Sequence, residues 1–477
     1  MKRSALLLIT LLPSSGAFTS AHAAIPTGLK YKTFYDTTKI NFDKLMWFEE
    51  IPGKKGNFLV AEQNGKVWTL NAGAGTKNLF MDFPTYSNPG GHEDGLLGLA
   101  FHPKFTENRK MYAYYTPGAN RTHLAIGEFS ADATLLKATD VPVKILWSAP
   151  ISGAHNGATV QFGPDGFLYW ATGQDHGHLG TAQNMSSPRG KMYRINVDVP
   201  GTGGKPYTIP ADNPYVNDVG VAAKEIWAHG FRNPMKFSFD KLTGDLWEVE
   251  VGQWQFEDVN IVRKGENMGW DVMEGPNCYT WYDEYSTTAS CTKTNLTPPV
   301  WSIPHIDPEN RWLNSGTGGL VYRANTASKF YGVYLFGDIC SNQMFGLTQA
   351  DRKMTEVKEL EKAPLGPIHF AVDSDGKLYM AGWYYGWEYV TSRGAGHILL
   401  IDHPELSLGA STSLAQGAGN RKQTLSRGVF VKLAGLPVGY HGGVDALGRE
   451  HRTYTRTSAT GNAREAMDAK HTPGAVP

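Results

Sequence analysis

The sequence predicts an all-β fold, laid out as a β-propeller with a flexible C-terminal tail. Three observations carry this. First, one pattern recurs: "QNGKVWTL" (63–70), "GPDGFLYWATG" (163–173), "LTGDLWEVEVG" (242–252) and "DSDGKLYMAG" (373–382) each set a polar glycine turn before alternating aromatic and aliphatic residues. Glycine turns followed by a period of two read as β-hairpins. Second, helical periodicity is scarce, which favours sheets repeated along the chain over a mixed fold. Third, 54 glycines, 12% aromatic residues and only 19% charged residues suit tight turns around pleated, half-buried surfaces. The hairpins are unevenly spaced, so insertions separate them. A two-sheet sandwich is the competing layout, but this length would need several of them.

From the N-terminus, "MKRSALLLITLLPSSGAFTSAHA" has a basic start, an apolar run and a small-residue end. It reads as a secretory leader over residues 1–24, cut near Ala23 or Ala24. A membrane anchor fits less well, because the apolar run is short and broken by Pro13. The mature chain is therefore expected in the periplasm or secreted, where disulfides persist. The main body is expected over residues 26–403. Residues 404–477, rich in Gly, Ala, Ser, Thr and Arg, are expected to be a tail or a small sorting module. The three cysteines favour a local Cys278–Cys291 bridge across "CYTWYDEYSTTASC", with Cys340 left over; the odd count leaves other pairings open.

Charge argues against a polyanionic partner: Lys plus Arg and Asp plus Glu both total 45. The chain has no G-x-S-x-G, Walker loop, H-E-x-x-H or C-x-x-C, and no dinucleotide fingerprint follows an expected strand. Candidate chemistry therefore lies in polar turns. In "GAHNGA", small neighbours leave room beside the His155 imidazole, a group suited to general-base work near neutrality. In "HGFRNPMKFSFD", Pro234 keeps Asn233 extended, so Arg232 and Asn233 can present directed donors to an oxyanion. Gly252 and Gln253 end an alternating strand, where their carbonyls could ligate a hard cation such as Ca²⁺. Glu257 and Asp258 are further candidate oxygen ligands. His92, Glu93 and Asp94 open a buried run. His176 and His178 have the spacing of two ligands on one strand face, but a transition-metal site needs more.

Six segments appear in order: "GHEDGLLGLAFHPKF", "HNGATVQFGPDGFLYWATG", "AQNMSSPRGKMYRINVD", "HGFRNPMKFSFD", "VGQWQFEDVNIVRKGENMGWDVMEG" and "TGGLVYRAN…GVYLFGD". Together they resemble the soluble quinoprotein glucose/sorbosone (aldose sugar) dehydrogenases, whose domain the hedgehog-interacting-protein-like proteins share. The resemblance spans about residues 27–403. It implies a six-bladed β-propeller that binds pyrroloquinoline quinone (PQQ) and Ca²⁺ on its top face and oxidises an aldose at C1. His155 matches the base that takes the C1 hydroxyl proton as hydride passes to the quinone. Arg232 matches the cation over the quinone oxygen; Asn233, Glu93 and Arg323 match cofactor contacts. Gly252 and Gln253 match the carbonyl pair on the active-site Ca²⁺. Asp258 and the Met268 carbonyl match a second Ca²⁺ site of some members. The electron acceptor is expected to be a cytochrome or a quinone.

The chain also departs from the pattern. Ala154 stands where several dehydrogenases carry an acidic partner of the base. Ser341, Asn342 and Gln343 stand where basic residues often meet the PQQ carboxylates. The "EGPNCY…C" loop leans toward the hedgehog-interacting-protein-like branch. Two alternatives follow: a non-catalytic, calcium-stabilised propeller that binds glycans or a protein, and a calcium-dependent, sugar-lactonase-like hydrolase.

Overall fold

A computed structural model describes residues 24–85, 93–118, 122–151, 154–175, 179–221, 223–279, 290–305, 315–384 and 395–407. Within them the chain forms six large antiparallel sheets arranged as a six-bladed propeller, and a two-stranded ribbon of Met273–Glu274 and Asn277–Cys278. Each blade runs from an inner strand outward. Blade 1 holds Leu45–Glu50, Asn57–Glu62, Lys66–Asn71 and Thr76–Asp82. Blade 2 holds Leu96–Phe101, Lys110–Tyr115, His123–Ser130 and Lys144–Pro150. Blade 3 holds Val160–Phe162, Leu168–Thr172, Lys191–Ile195 and Ile226–His229. Blade 4 holds Pro234–Phe239, Leu246–Glu250, Phe256–Val262 and Trp301–Pro304. Blade 5 holds Gly316–Val321, Tyr334–Asp338, Met344–Ala350 and Lys353–Leu360.

Blade 6 is built from both ends of the body. Gly366–Val372, Leu378–Trp383 and Ala395–Asp402 are completed by the N-terminal strand Lys30–Thr33, with Lys30 opposite Asp402. This closes the ring and covers the blade faces that an open stack of sheets would leave exposed, with Lys30–Thr33 as the short outer edge of blade 6. The described chain continues just beyond His403. Pro404–Ser407 form a short helix, Glu405 accepts a bond from the Lys329 amide at 3.1 Å, and Leu406 packs on the core between blades 5 and 6. The expected leader, apart from Ala24, and the tail beyond Ser407 lie outside the described residues. Among the described residues, no helix is long and apolar enough to cross a membrane.

The period-two pattern of the sequence becomes packing within and between blades. Alternate residues of Leu168–Thr172 and Lys191–Ile195 stack Trp170 on Tyr193 with centroids 4.9 Å apart. Trp247 of blade 4 stacks on Tyr334 of blade 5 at 4.5 Å. Aromatic pairs of this kind bury large area and fix the tilt of one sheet on the next. Cys278 and Cys291 are disulfide-bonded, and Cys340 is in no disulfide.

The inner strands meet around Lys236. From blade 4 its ammonium reaches the carbonyls of Met46 and Ala158 at 3.1 Å each and of Leu97 at 3.4 Å, on or beside the inner strands of blades 1, 3 and 2. Burial pushes its pKa down to about 7, but three carbonyl acceptors match the three donors of a charged ammonium. Lys236→Met is expected to cost about 2 kcal/mol or more, because it strands three buried carbonyls. Denaturant unfolding of the variant measures this.

Candidate active site

The site is assembled where inner strands begin and second strands end. Gly173 follows the second strand of blade 3. A Cβ placed there would lie 2.4 Å from the His155 carbonyl oxygen and 2.5 Å from that of Arg232. Only glycine lets these two backbones close on each other. Two turns far apart in the chain, at His155 and Arg232, thus bring their backbones together on Gly173. Gly173→Ala is expected to displace both and to destabilise the fold by several kcal/mol, about the largest class of single-residue effects; a lowered thermal midpoint checks it.

His155 holds φ +68°, a left-handed conformation uncommon outside glycine. It is 5% exposed, as befits a ring set in a wall of small residues. Around it runs a continuous set of hydrogen bonds. The Glu93 carboxylate accepts from the Asn156 amide at 2.8 Å and from the Asn233 side chain at 3.1 Å. Asn156 returns a bond to the Glu93 carbonyl at 2.6 Å. The Asn233 carboxamide oxygen takes the Gly157 amide at 3.2 Å, and the Asn233 amide donates to Glu250.

Arg232 is 7% exposed. Its Nε and Nη2 grip the Gln253 side-chain oxygen at 2.9 and 2.6 Å, and Nη1 donates to the Val251 carbonyl at 2.7 Å. Burial lowers its pKa, while Glu274, Glu257, Glu250 and Glu93 hold the charge in place. Three buried carboxyls nearby feel the opposite effect. Burial raises the Glu93 carboxyl against the pull of the Asn156 amide and Arg232, and pushes Glu250 up to about 8 and Asp258 up to about 7.

Glu274 was not singled out in the sequence, yet it shapes the turn after blade 4's second strand. Its Oε1 accepts the amides of Gln253, Trp254, Gln255 and Phe256 at 2.7, 2.7, 2.8 and 3.3 Å. Gly252 is needed at the mouth of this turn: a Cβ would meet the Phe256 carbonyl at 1.6 Å. Asp258 lies beside it, accepting the Gly275 amide at 3.0 Å.

The structure therefore brings together His155, Glu93, Arg232, Asn233, Gly252, Gln253 and, at the margin, Asp258. It does not bring Arg323. That guanidinium forms a two-point pair with Asp240, at 2.9 and 2.6 Å. Asp240 follows the far end of the same blade-4 strand whose near end adjoins Asn233, so Arg323 is a strap on the opposite face. A strand of six residues separates the ends, roughly 20 Å of chain. Met268 lies on the neighbouring segment: its amide donates to the His229 carbonyl at 2.9 Å, on the outer strand of blade 3, and the Trp270 amide donates to the Gly230 carbonyl at 3.0 Å. Gln343 turns inward to the carbonyls of Met344 and Leu360, and Ser341 bonds Asp338. No group of three or more His, Cys, Asp or Glu side chains is placed to hold a metal among the described residues. His92, His176 and His178 lie outside the described residues.

Asn156 and Arg189 were also missed as site residues, although both sit inside the quoted motifs. Nothing in residue type or spacing marks an Asn beside a His, or an Arg before a Gly, as the partner of a distant turn.

A family model for glucose/sorbosone dehydrogenases matches residues 46–383. An Arabidopsis thaliana HIPL2 protein is 31% identical over 310 residues, covering 54% of this chain and 44% of that protein, so the chain spans less than half of this relative. The aldose sugar dehydrogenase YliI of Escherichia coli K12 is 28% identical over 60% of this chain and 71% of its own. The solved PQQ-bound aldose sugar dehydrogenase of Streptomyces coelicolor superposes with a TM-score of 0.59 at 19% identity, over 79% of this chain and 99% of that one, which shows a shared fold. With the family model spanning more than half of the sequence, this chain belongs to the glucose/sorbosone dehydrogenase family.

Proposed function

We propose that the protein is an exported, PQQ-dependent aldose sugar dehydrogenase that oxidises the sugar at C1. The observation that carries the reading is the closure of the His155 and Arg232 turns on Gly173. On this reading the base and the cation would flank one substrate space. Lactone formation removes two electrons and two protons from the C1 hydroxyl and C1–H. His155 accepts the hydroxyl proton. PQQ, when bound, supplies the two-electron sink for the C1 hydride. Arg232, held by Gln253 and Val251, keeps a fixed positive charge where oxygen charge grows, and it needs no reorganisation to do so. Glu93 orders the turns on both sides, through Asn156 and Asn233.

The residues present fit the cofactors by chemistry. A buried guanidinium suits an anionic quinone. For Ca²⁺, the carbonyls of Gly252 and Gln253 would be ligands, in oxygen-rich surroundings: Oε2 of Glu250 and Oε2 of Glu274 are buried and meet no hydrogen-bond donor. Asp258 is a further oxygen nearby. Electrons would leave to a cytochrome or a quinone, in the periplasm or outside the cell.

A second reading, a non-catalytic propeller binding glycans or a protein, is favoured by one observation: Gln343 faces the Met344 and Leu360 carbonyls and offers no cation for a carboxylated cofactor. The hydrolase alternative loses ground, because the inner strands gather around the Lys236 ammonium where it asks for a carboxylate-ringed metal. Purified protein given PQQ and Ca²⁺ should reduce a redox dye with aldoses, and only with both additions. Silence without an absorbance change from bound quinone would turn the assignment to the binding propeller.

A further inference from the structure

We infer that Arg189 is a positioning residue for His155, holding the base from beneath its own turn. The inference rests on the reading of His155 as the base and deepens it. Position 154 is alanine, so no side chain there can orient the imidazole. The left-handed His155 backbone must be held by its surroundings, since non-glycine residues rarely keep it unaided.

Arg189 supplies that hold. Its Nη2 donates to the His155 carbonyl at 2.8 Å and to the Asn156 side-chain oxygen at 3.0 Å, and it reaches the Ala154 and Gln174 carbonyls at 3.4 Å. The same peptide is pinned from its other side: the Asn156 amide by Glu93 at 2.8 Å, the Asn156 carbonyl by the Tyr114 hydroxyl at 2.7 Å. Arg189 is itself anchored by side chain and backbone. Nε lies 3.0 Å from Asp175 Oδ1, and the Arg189 carbonyl takes the Lys191 ammonium at 2.7 Å.

Two features separate this role from substrate binding. The Arg189 side chain is 2% exposed, so it lies under the turn. Its reach to Gln174 also ties in the segment whose amide donates to the Arg232 carbonyl at 2.8 Å. One buried cation therefore sets the base and the backbone beside Arg232 in one frame. Displacing a catalytic group by about 1 Å can cost on the order of 100-fold in rate.

Arg189→Lys keeps the charge but cannot meet Asp175 through one nitrogen and the His155 and Asn156 oxygens through another. Asp175→Asn is the milder companion, should the lysine variant fail to fold. The full chain is labelled with ¹³C at histidine Cε1, and the His155 resonance is assigned by its loss in His155→Asn. In Arg189→Lys that resonance should move or split while the other histidine signals stay. Turnover with aldose should fall roughly 10- to 100-fold, with KM and PQQ affinity within about threefold. Asp175→Asn should move both readouts the same way by less. An unmoved His155 signal with native turnover overturns the inference, as does a general collapse of every histidine signal in both variants. If the native protein shows no aldose oxidation, the dehydrogenase reading fails, and the His155 resonance alone still decides the role of Arg189.

Discussion

His155→Ala is expected to lower turnover by about 100- to 10,000-fold, the usual worth of a positioned general base. PQQ affinity, followed by absorbance titration, should change by less than about threefold. The asymmetry follows from the structure. The bonds that knit this turn to Glu93, Arg189 and Tyr114 use the backbone of residues 155 and 156 and the side chain of Asn156. Truncating the imidazole leaves those bonds in place. His155→Asn is the better control for strain, because asparagine tolerates left-handed backbone. Native turnover in either variant would overturn the base assignment.

Arg232→Leu is expected to destabilise the fold by about 3–5 kcal/mol, the range for removing one partner from a buried charge group. Glu274, Glu257, Glu250 and Glu93 all act on this guanidinium, and among the described residues no other arginine or lysine makes these contacts with Gln253 and Val251. The loss should appear as a lower denaturant midpoint with an unchanged slope, and PQQ should cease to bind. Arg232→Lys should recover part of the stability but not the two-point grip on Gln253. An Arg232→Leu protein as stable as the native one would show that the acids carry their own protons and need no counter-ion.

The propeller was legible because its hairpins are local. Turns such as Gly163–Gly166 and Asp240–Gly244 close within a few residues, and Asp165-Gly166 and Thr243-Gly244 announce them. Even so, the four repeats are not equivalent. Three join the first and second strands of blades 3, 4 and 6, whereas "QNGKVWTL" joins the second and third of blade 1. That offset, with the long insertions, hides the period. The closing strand Lys30–Thr33 was not anticipated, because its partner lies at the other end of the body.

The site was legible only in part, for a related reason. His155, Arg232 and Glu93 stand in turns whose residue types suggest chemistry. Arg323 stands in an equally suggestive motif, yet the strand direction carries it to the opposite face, where Asp240 takes it. Pattern gives the residue but not the end of the strand. Arg189 and Glu274 act through backbone amides and carbonyls of remote segments, a use that side-chain identity does not reveal.

The seam of blade 6 makes folding a matter of timing. A growing polypeptide must keep residues 30–33 solvated until residues 399–402 exist to receive them. Contacts so distant in sequence form late and slowly. The seam is thus where assembly finishes and where unravelling would start, and a bulky fusion just ahead of residue 30 or a stop codon before residue 395 would leave five blades without a clasp.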